Sequence, residues 1–220
     1  SIFALAASGL VLTYTTTGIF NFAHAAIGML GAFAYWQLRD DWGWPTPVAL
    51  LVVLGVLAPA LGLAIERGIM RHLTDAPETV RIVVTISLLV ALLGVGLWAW
   101  PATEPHPTSQ LFGGESVSVF GVGVTWHRIS GVVVAGIVAI GLRLLLFRTQ
   151  AGLDMRAAVD SRPLALLHGA RPDRSAALAW AIGCALAALA GILIAPVTSL
   201  SHINLTLLIV NAYAAAMIGR

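Results

Sequence analysis

Side chains able to do chemistry are scarce in this sequence, and the most informative of them lie inside apolar runs. The stretch GIFNFAHAAIGML, Gly18 to Leu30, places Asn21 and His24 within the first hydrophobic run, behind the hydroxyl triplet Thr15, Thr16 and Thr17. Three uses are open to such a group: nucleophilic catalysis, satisfaction of backbone groups at a helix break, or the lining of a polar path. Catalysis fits poorly. Ser8 and His24 are sixteen residues apart, which gives no helical alignment, and no base-orienting carboxylate is evident. Cys184 is the only cysteine, so it has no intrachain disulfide and no second thiol for a metal, and reads as a small packing residue. All twelve basic residues are Arg, and the missing Lys excludes a standard phosphate-binding loop. They stand at the ends of apolar runs rather than along one solvated face, which argues against nucleic acid as a partner.

The elements that position these residues are membrane helices. With 59% hydrophobic and 10% charged residues, the 220-residue chain has a membrane protein's composition. A helix crossing about 30 Å of hydrocarbon needs roughly 20 residues. Six apolar segments of that order run from Ser1 to Phe20, Ala23 to Leu38, Thr46 to Ile65, Ile82 to Trp100, Ile129 to Phe147 and Ser175 to Val197, and a seventh, Leu205 to Gly219, is cut by the end of the chain. The fold class is therefore all-α, a polytopic membrane protein of one domain over residues 1–220. Because both ends fall in or just after apolar runs, the chain reads as a fragment lacking both natural ends.

Arg placement sets the orientation, since basic residues are retained on the cytoplasmic side. Arg143, Arg148, Arg156, Arg162, Arg171 and Arg174 fall in one stretch, and Arg67, Arg71 and Arg81 in another, so both read as cytoplasmic. By alternation Arg39 to Pro45 and Pro101 to His127 lie outside, where Trp42, Trp44, Trp98, Trp100 and Trp126 mark the boundary. The outer stretch SVSVFGVGVTW alternates in places, and Gly121 and Gly123 permit a turn, so a short β-hairpin is expected there. In the sixth segment Gly183, Ala187 and Gly191 recur at every fourth position, a small-residue stripe for close helix packing.

Residues 1–38 as one helix would extend about 57 Å, too long for one crossing and short for two. Something must interrupt it, and TTTGIFNFAH is suited to do so: Gly18 loosens the helix, Asn21 favours a cap or turn, and Ala23 onward resumes a helical pattern. On one reading Asn21 and His24 staple two helix ends or occupy a surface loop. On the other the break lines a water-filled path, with Thr17, Gly18, Asn21, Phe22 and His24 as translocation-path candidates and a helix N-terminus offered to an anionic group.

The stretch Arg148 to Ser175 is too short for a soluble domain and too patterned for a connector. Leu153 to Val159 can form two helical turns, Asp160 or Ser161 can cap a second helix, Pro163 suits its first turn, and Gly169 can end it. That second helix would project Leu164, Leu166 and Leu167, an apolar surface that calls for a protein partner or, alternatively, for anionic lipid.

NFAH, IERGIMRHL and AGLDMRAAVDSRPLALLHGARPDRSAALAWAIGCALAALAGILIAP, in that order along essentially the whole chain, resemble the permease subunits of branched-chain amino acid ABC importers. The resemblance implies that residues 148–175 are a coupling loop docking into a separate ATPase subunit, with Ala157, Ala158, Asp160 and Gly169 at its characteristic positions and Arg156, Pro163, Leu164 and Leu167 beside them. It further implies a second permease subunit, an external solute-binding protein, a substrate of the leucine, isoleucine and valine class, and an inner-membrane location. ATP would be used by the partner, leaving this chain without a cofactor and not itself an enzyme. The sequence departs from the family at Ala25, where Gly usually follows NFAH, at Leu153 and Asp154, where a basic residue is common, and at Arg220. An ion-coupled secondary transporter is the rival reading, but it calls for paired acidic residues within membrane segments, and Glu66 and all six Asp lie at segment ends or in loops. A structural membrane subunit is the other.

Overall fold

The computed structural model describes residues 2–74, 76–103, 106–108, 116–119, 122–160, 165–166, 169–198, 200–207, 214 and 216. Helix α1 (Ile2–Thr17) is followed by a short non-helical return and α2 (His24–Trp36), which continues as a π-helical turn over Gln37–Asp41. Helices α3 (Thr46–Gly68) and α4 (Glu78–Ala99) follow, joined by a 3-10 turn at Met70–Leu73. The antiparallel hairpin of β1 (Ser116–Val119) and β2 (Val122–Thr125) precedes α5 (Trp126–Arg148), α6 (Gln150–Asp160) and α7 (Pro172–Thr198). Residues 202–207 form a last short helical segment.

Helices α3, α4, α5 and α7 are long and apolar enough to cross a membrane, and α1 is a shorter apolar helix. The chain is a multi-pass, all-α membrane protein with the hairpin as a small addition. That hairpin matches the expectation in place but not in detail: Gly123 pairs with Ser118 inside β2 instead of forming the turn, and Gly121 lies outside the described residues. The later part of the seventh segment also lies outside them.

Local chemistry sets the helix ends. Pro47 occupies the first turn of α3, where its missing N–H costs nothing, and Pro172 opens α7 with Asp173 beside it to offset the positive helix terminus. Glu78 does the same for α4. Pro59 has the opposite effect inside α3. It cannot donate to the carbonyl four residues back, and the helix widens to a π turn over Val53–Leu57 just before it.

Helix α7 is the hub, with most of its length buried against α1, α2 and the second half of α3. Lipid tails are as apolar as Leu, so hydrophobicity alone does not hold helices together in a bilayer. Close backbone approach does. The small-residue stripe supplies it: Gly183 faces Gly9 of α1, while Ala187 and Gly191 face Gly28 of α2. Ala188 closes on Gly31, and the Trp180 carbonyl lies 2.5 Å from where a Cβ on Gly62 would stand. Helix α5 lies at the periphery, with His127 and Gly131 its buried residues and one face half-buried against the bundle.

These contacts also fix direction. Leu12 packs with Ala179 and Leu5 with Leu193, so α1 runs antiparallel to α7, whereas α2 runs parallel to it, with Ala23 and Ile27 near Trp180 and Cys184 and Phe33 near Ile194. The ends of α1, α3 and α5 therefore gather with the starts of α4 and α7 at an Arg-rich end. Trp36, Trp42, Trp44, Trp98, Trp100 and Trp126 gather at the other, the Trp-rich end.

Candidate functional site

Helix α1 stops where Gly18 takes φ +66°, a left-handed conformation that costs glycine no Cβ clash. The Gly18 amide donates to the Tyr14 carbonyl (2.8 Å), and the Thr17 hydroxyl both donates to the Thr13 carbonyl (2.7 Å) and accepts the Ile19 amide (3.3 Å). One threonine thus meets two of the backbone needs that a break inside a bilayer creates. Asn21 is buried and makes a turn, its carbonyl accepting the His24 amide (3.2 Å). Its side chain does not cap α2, because the N-cap position is Ala23, with no side-chain cap bond. Of the cap or turn expected at Asn21, its backbone makes the turn.

The break lies at the Arg-rich end of the bundle, with Gly18 exposed and Ile19 and Asn21 buried. Phe20 packs on Tyr14 and Phe22, and Ile19 joins a core cluster with Trp180 and Met70 near the Arg-rich end. From there the chain climbs back beside α7, so that His24 and Gly28 stand at the level of Gly183 to Ala187. His24 is buried with its ring against α1, where Cε1 lies 3.0 Å from the position a Gly9 Cβ would take. Neither ring nitrogen makes a hydrogen bond of good geometry among the described residues, although the Ala6 carbonyl is close by. A cavity of about 40 Å³ adjoins the ring, lined by Ala6, Ala25, Gly28 and Gly191 among others. That is room for water and not for an amino acid.

The two ends of the bundle differ sharply. At the Trp-rich end Phe33 stacks between Trp100 (5.4 Å) and His202 (4.3 Å), with His106 set edge-on (5.3 Å). The Trp36 and Trp100 indoles donate to the Pro107 carbonyl (2.9 Å) and the Gln37 side chain (2.8 Å), tying the residues after α4 to the end of α2. At the Arg-rich end a vestibule of about 430 Å³ opens between α1, α3 and α7, and Thr17 and Gly18 line it. Glu66, 2% exposed, faces it and accepts from Arg71 through both oxygens, Nε to Oε1 at 3.2 Å and Nη2 to Oε2 at 3.1 Å. The carboxylate raises the Arg71 pKa above its ordinary value, first by hydrogen bonding and then by charge. Sequence reasoning missed this pair, although the Glu and Arg of IERGIMR, five residues apart at a helix end, were the signal available.

The loop behind α5 is ordered where it is described. The Thr149 hydroxyl accepts the Gly152 amide (3.1 Å), which caps α6, and the α5 backbone at Leu145 and Leu146 leaves no space for a Cβ on Gly152. Met155 is buried with Leu12 of α1 and Ala179 of α7, tying α6 to the helix that ends at the break and to the hub helix. Arg156 is exposed, its guanidinium 4.7 Å from the Phe147 ring centroid. Ala157, Ala158 and Asp160 lie in α6, which runs one residue past the expected end at Val159. Pro163, Leu164 and Leu167 lie outside the described residues, as does Ser161. Ala165 and Leu166 are helical, and that turn ends as expected at Gly169, whose φ is +79°. The Gly169 amide donates to Leu166 and the Ala170 amide to Ala165, both at 3.0 Å, the paired bonds of a Schellman end.

Residues 1–220 match the family model described as branched-chain amino acid transport system, permease component. A probable branched-chain amino acid transport permease protein LivH of Methanocaldococcus jannaschii is 29% identical over 227 residues, covering 100% of this chain and 70% of that protein. The high-affinity LivH permease protein of Escherichia coli K12 is 28% identical over 206 residues, covering 88% of this chain and 66% of its own length. BraD of Pseudomonas aeruginosa is 27% identical over 232 residues, with 100% of this chain and 75% of BraD covered. The chain thus spans about two thirds to three quarters of these relatives, and no solved structure matches it. With its buried hub helix, its broken first helix and this full-length match, the chain belongs to the permease component family of branched-chain amino acid transport systems.

Proposed function

We propose that this chain is one permease subunit of an ATP-driven importer that carries branched-chain amino acids across the inner membrane by alternating access. The observation that supports it best is the vestibule of about 430 Å³ at the Arg-rich end, which reaches Thr17 and Gly18 at the break, the opening expected of a carrier facing inward. The relatives named above are branched-chain amino acid permease proteins, which points to the leucine, isoleucine and valine class. ATP is used by a separate cytoplasmic subunit, an external solute-binding protein delivers the substrate, and a second permease subunit completes the pair.

In this reading residues 148–175 dock on the ATPase. Met155 is the lever, because it is packed on both α1 and α7 and passes a displacement of α6 to the break. Radiolabelled leucine uptake by cells expressing the full-length chain with its partner subunits tests the scheme. Gly169→Asp abolishes uptake and ATPase association at unchanged membrane level, and His24→Ala lowers uptake with association intact. Normal uptake in both variants reduces the break to a helix staple.

A further inference from the structure

The vestibule at the Arg-rich end has more in it than an exit needs. Its volume of about 430 Å³ falls in the roughly 300–1,000 Å³ range of small-ligand sites, ten times the space beside His24. Its polar groups have opposite signs at fixed positions. Glu66 holds a buried carboxylate, Asp173 lies at the opening of α7 close enough to act on Arg71, and the Arg71 side chain is 41% exposed despite its two bonds to Glu66. The fourth group is unexplained by the fold. Trp180 is fully buried and lines the vestibule, yet its indole N–H has no acceptor among the described residues. A buried donor left without an acceptor is destabilising, so a ligand oxygen there would remove a standing penalty.

We infer that the vestibule binds a small zwitterionic α-amino acid from the cytoplasmic side, its ammonium on Glu66 and Asp173 and its carboxylate on the Arg71 guanidinium and the Trp180 indole. The side chain then lies toward Ile19 and Met70, the apolar part of the lining. Glu66 and Arg71 remain near each other throughout, and the zwitterion adds one opposite charge to each without leaving a net buried charge. Occupancy from this side would hold the carrier inward-facing and slow uptake as the internal amino acid accumulates. The inference rests on the transport reading above for its consequence, but not for the binding itself.

The test is equilibrium binding of radiolabelled leucine to the full-length permease with its partner subunits in nanodiscs, without the external solute-binding protein. Saturable binding is expected, displaced by valine but not by leucinamide, which lacks the carboxylate, nor by 4-methylpentanoate, which lacks the amine. Trp180→Phe keeps the ring and loses only the N–H, so it weakens binding by about ten-fold, the scale of one hydrogen bond to a charged group. Arg71→Gln weakens it further. No saturable binding, equal displacement by either truncated analogue, or unchanged affinity in Trp180→Phe overturns the site. Cellular leucine uptake, measured in parallel, separates the two claims: uptake without vestibule binding removes the site alone, and binding without uptake removes the transport reading alone.

Discussion

Gly191 of α7 stands against Gly28 of α2 so closely that a Cβ on Gly191 would overlap the Gly28 carbonyl. A Cβ on Gly28 would in turn fall 2.8 Å from the Ala187 carbonyl, one helical turn earlier in α7. Backbone touches backbone here, so no side chain can swing aside to make room. The position of α2, and with it the depth of His24, depends on this contact.

Gly191→Ala should therefore lower stability by roughly 1–3 kcal/mol, the usual cost of overpacking a rigid contact. The control is Gly136→Ala in the peripheral α5, where a Cβ meets nothing within 4 Å. That change should be neutral or stabilising by up to about 1 kcal/mol through helix propensity. Thermal unfolding in detergent compares the two. Equal melting temperatures would remove the close contact as a determinant of the bundle.

Thr149→Ala should free the first turn of α6, and it also removes the hydroxyl's bond to the Leu145 carbonyl of α5 (2.6 Å). It removes the cap on Gly152 and costs about 1 kcal/mol locally, while Thr149→Ser restores it. Hydrogen exchange of amides 150–153 reads the effect directly. Protection that survives in Thr149→Ala would show that Met155 packing alone holds the helix.

What the sequence makes legible is what depends on local chemistry. Gly18 and Gly169 take positive φ, which glycine adopts without a Cβ clash, and each is followed by residues that suit a turn and not a continued helix. The Gly183, Ala187 and Gly191 stripe follows from helical period alone. The ring stack of Phe33, Trp100 and His202 does not, because its members are far apart in sequence and only the parallel packing of α2, α4 and α7 brings those helix ends together. Glu66 was placed correctly at a segment end, but its burial was hidden. That burial arises from α1 and α7 closing over the end of α3, which no count along one helix reveals.

Glu66 and Arg71 give the sharpest energetic test. Arg71→Ala leaves a carboxylate 2% exposed with its only ion-pair partner among the described residues removed. Fully buried pairs broken on one side lose about 3–5 kcal/mol. Here the Arg71 side chain is 41% exposed, so water screens part of the pair and the loss should be smaller. Replacing both partners is predicted to cost less than replacing one, because Glu66→Leu removes the charge that Arg71→Leu would strand. A double-mutant cycle by thermal unfolding measures this. If the double variant loses as much as the two single variants added together, the partners are energetically independent and the pair is a surface contact that the fold does not require.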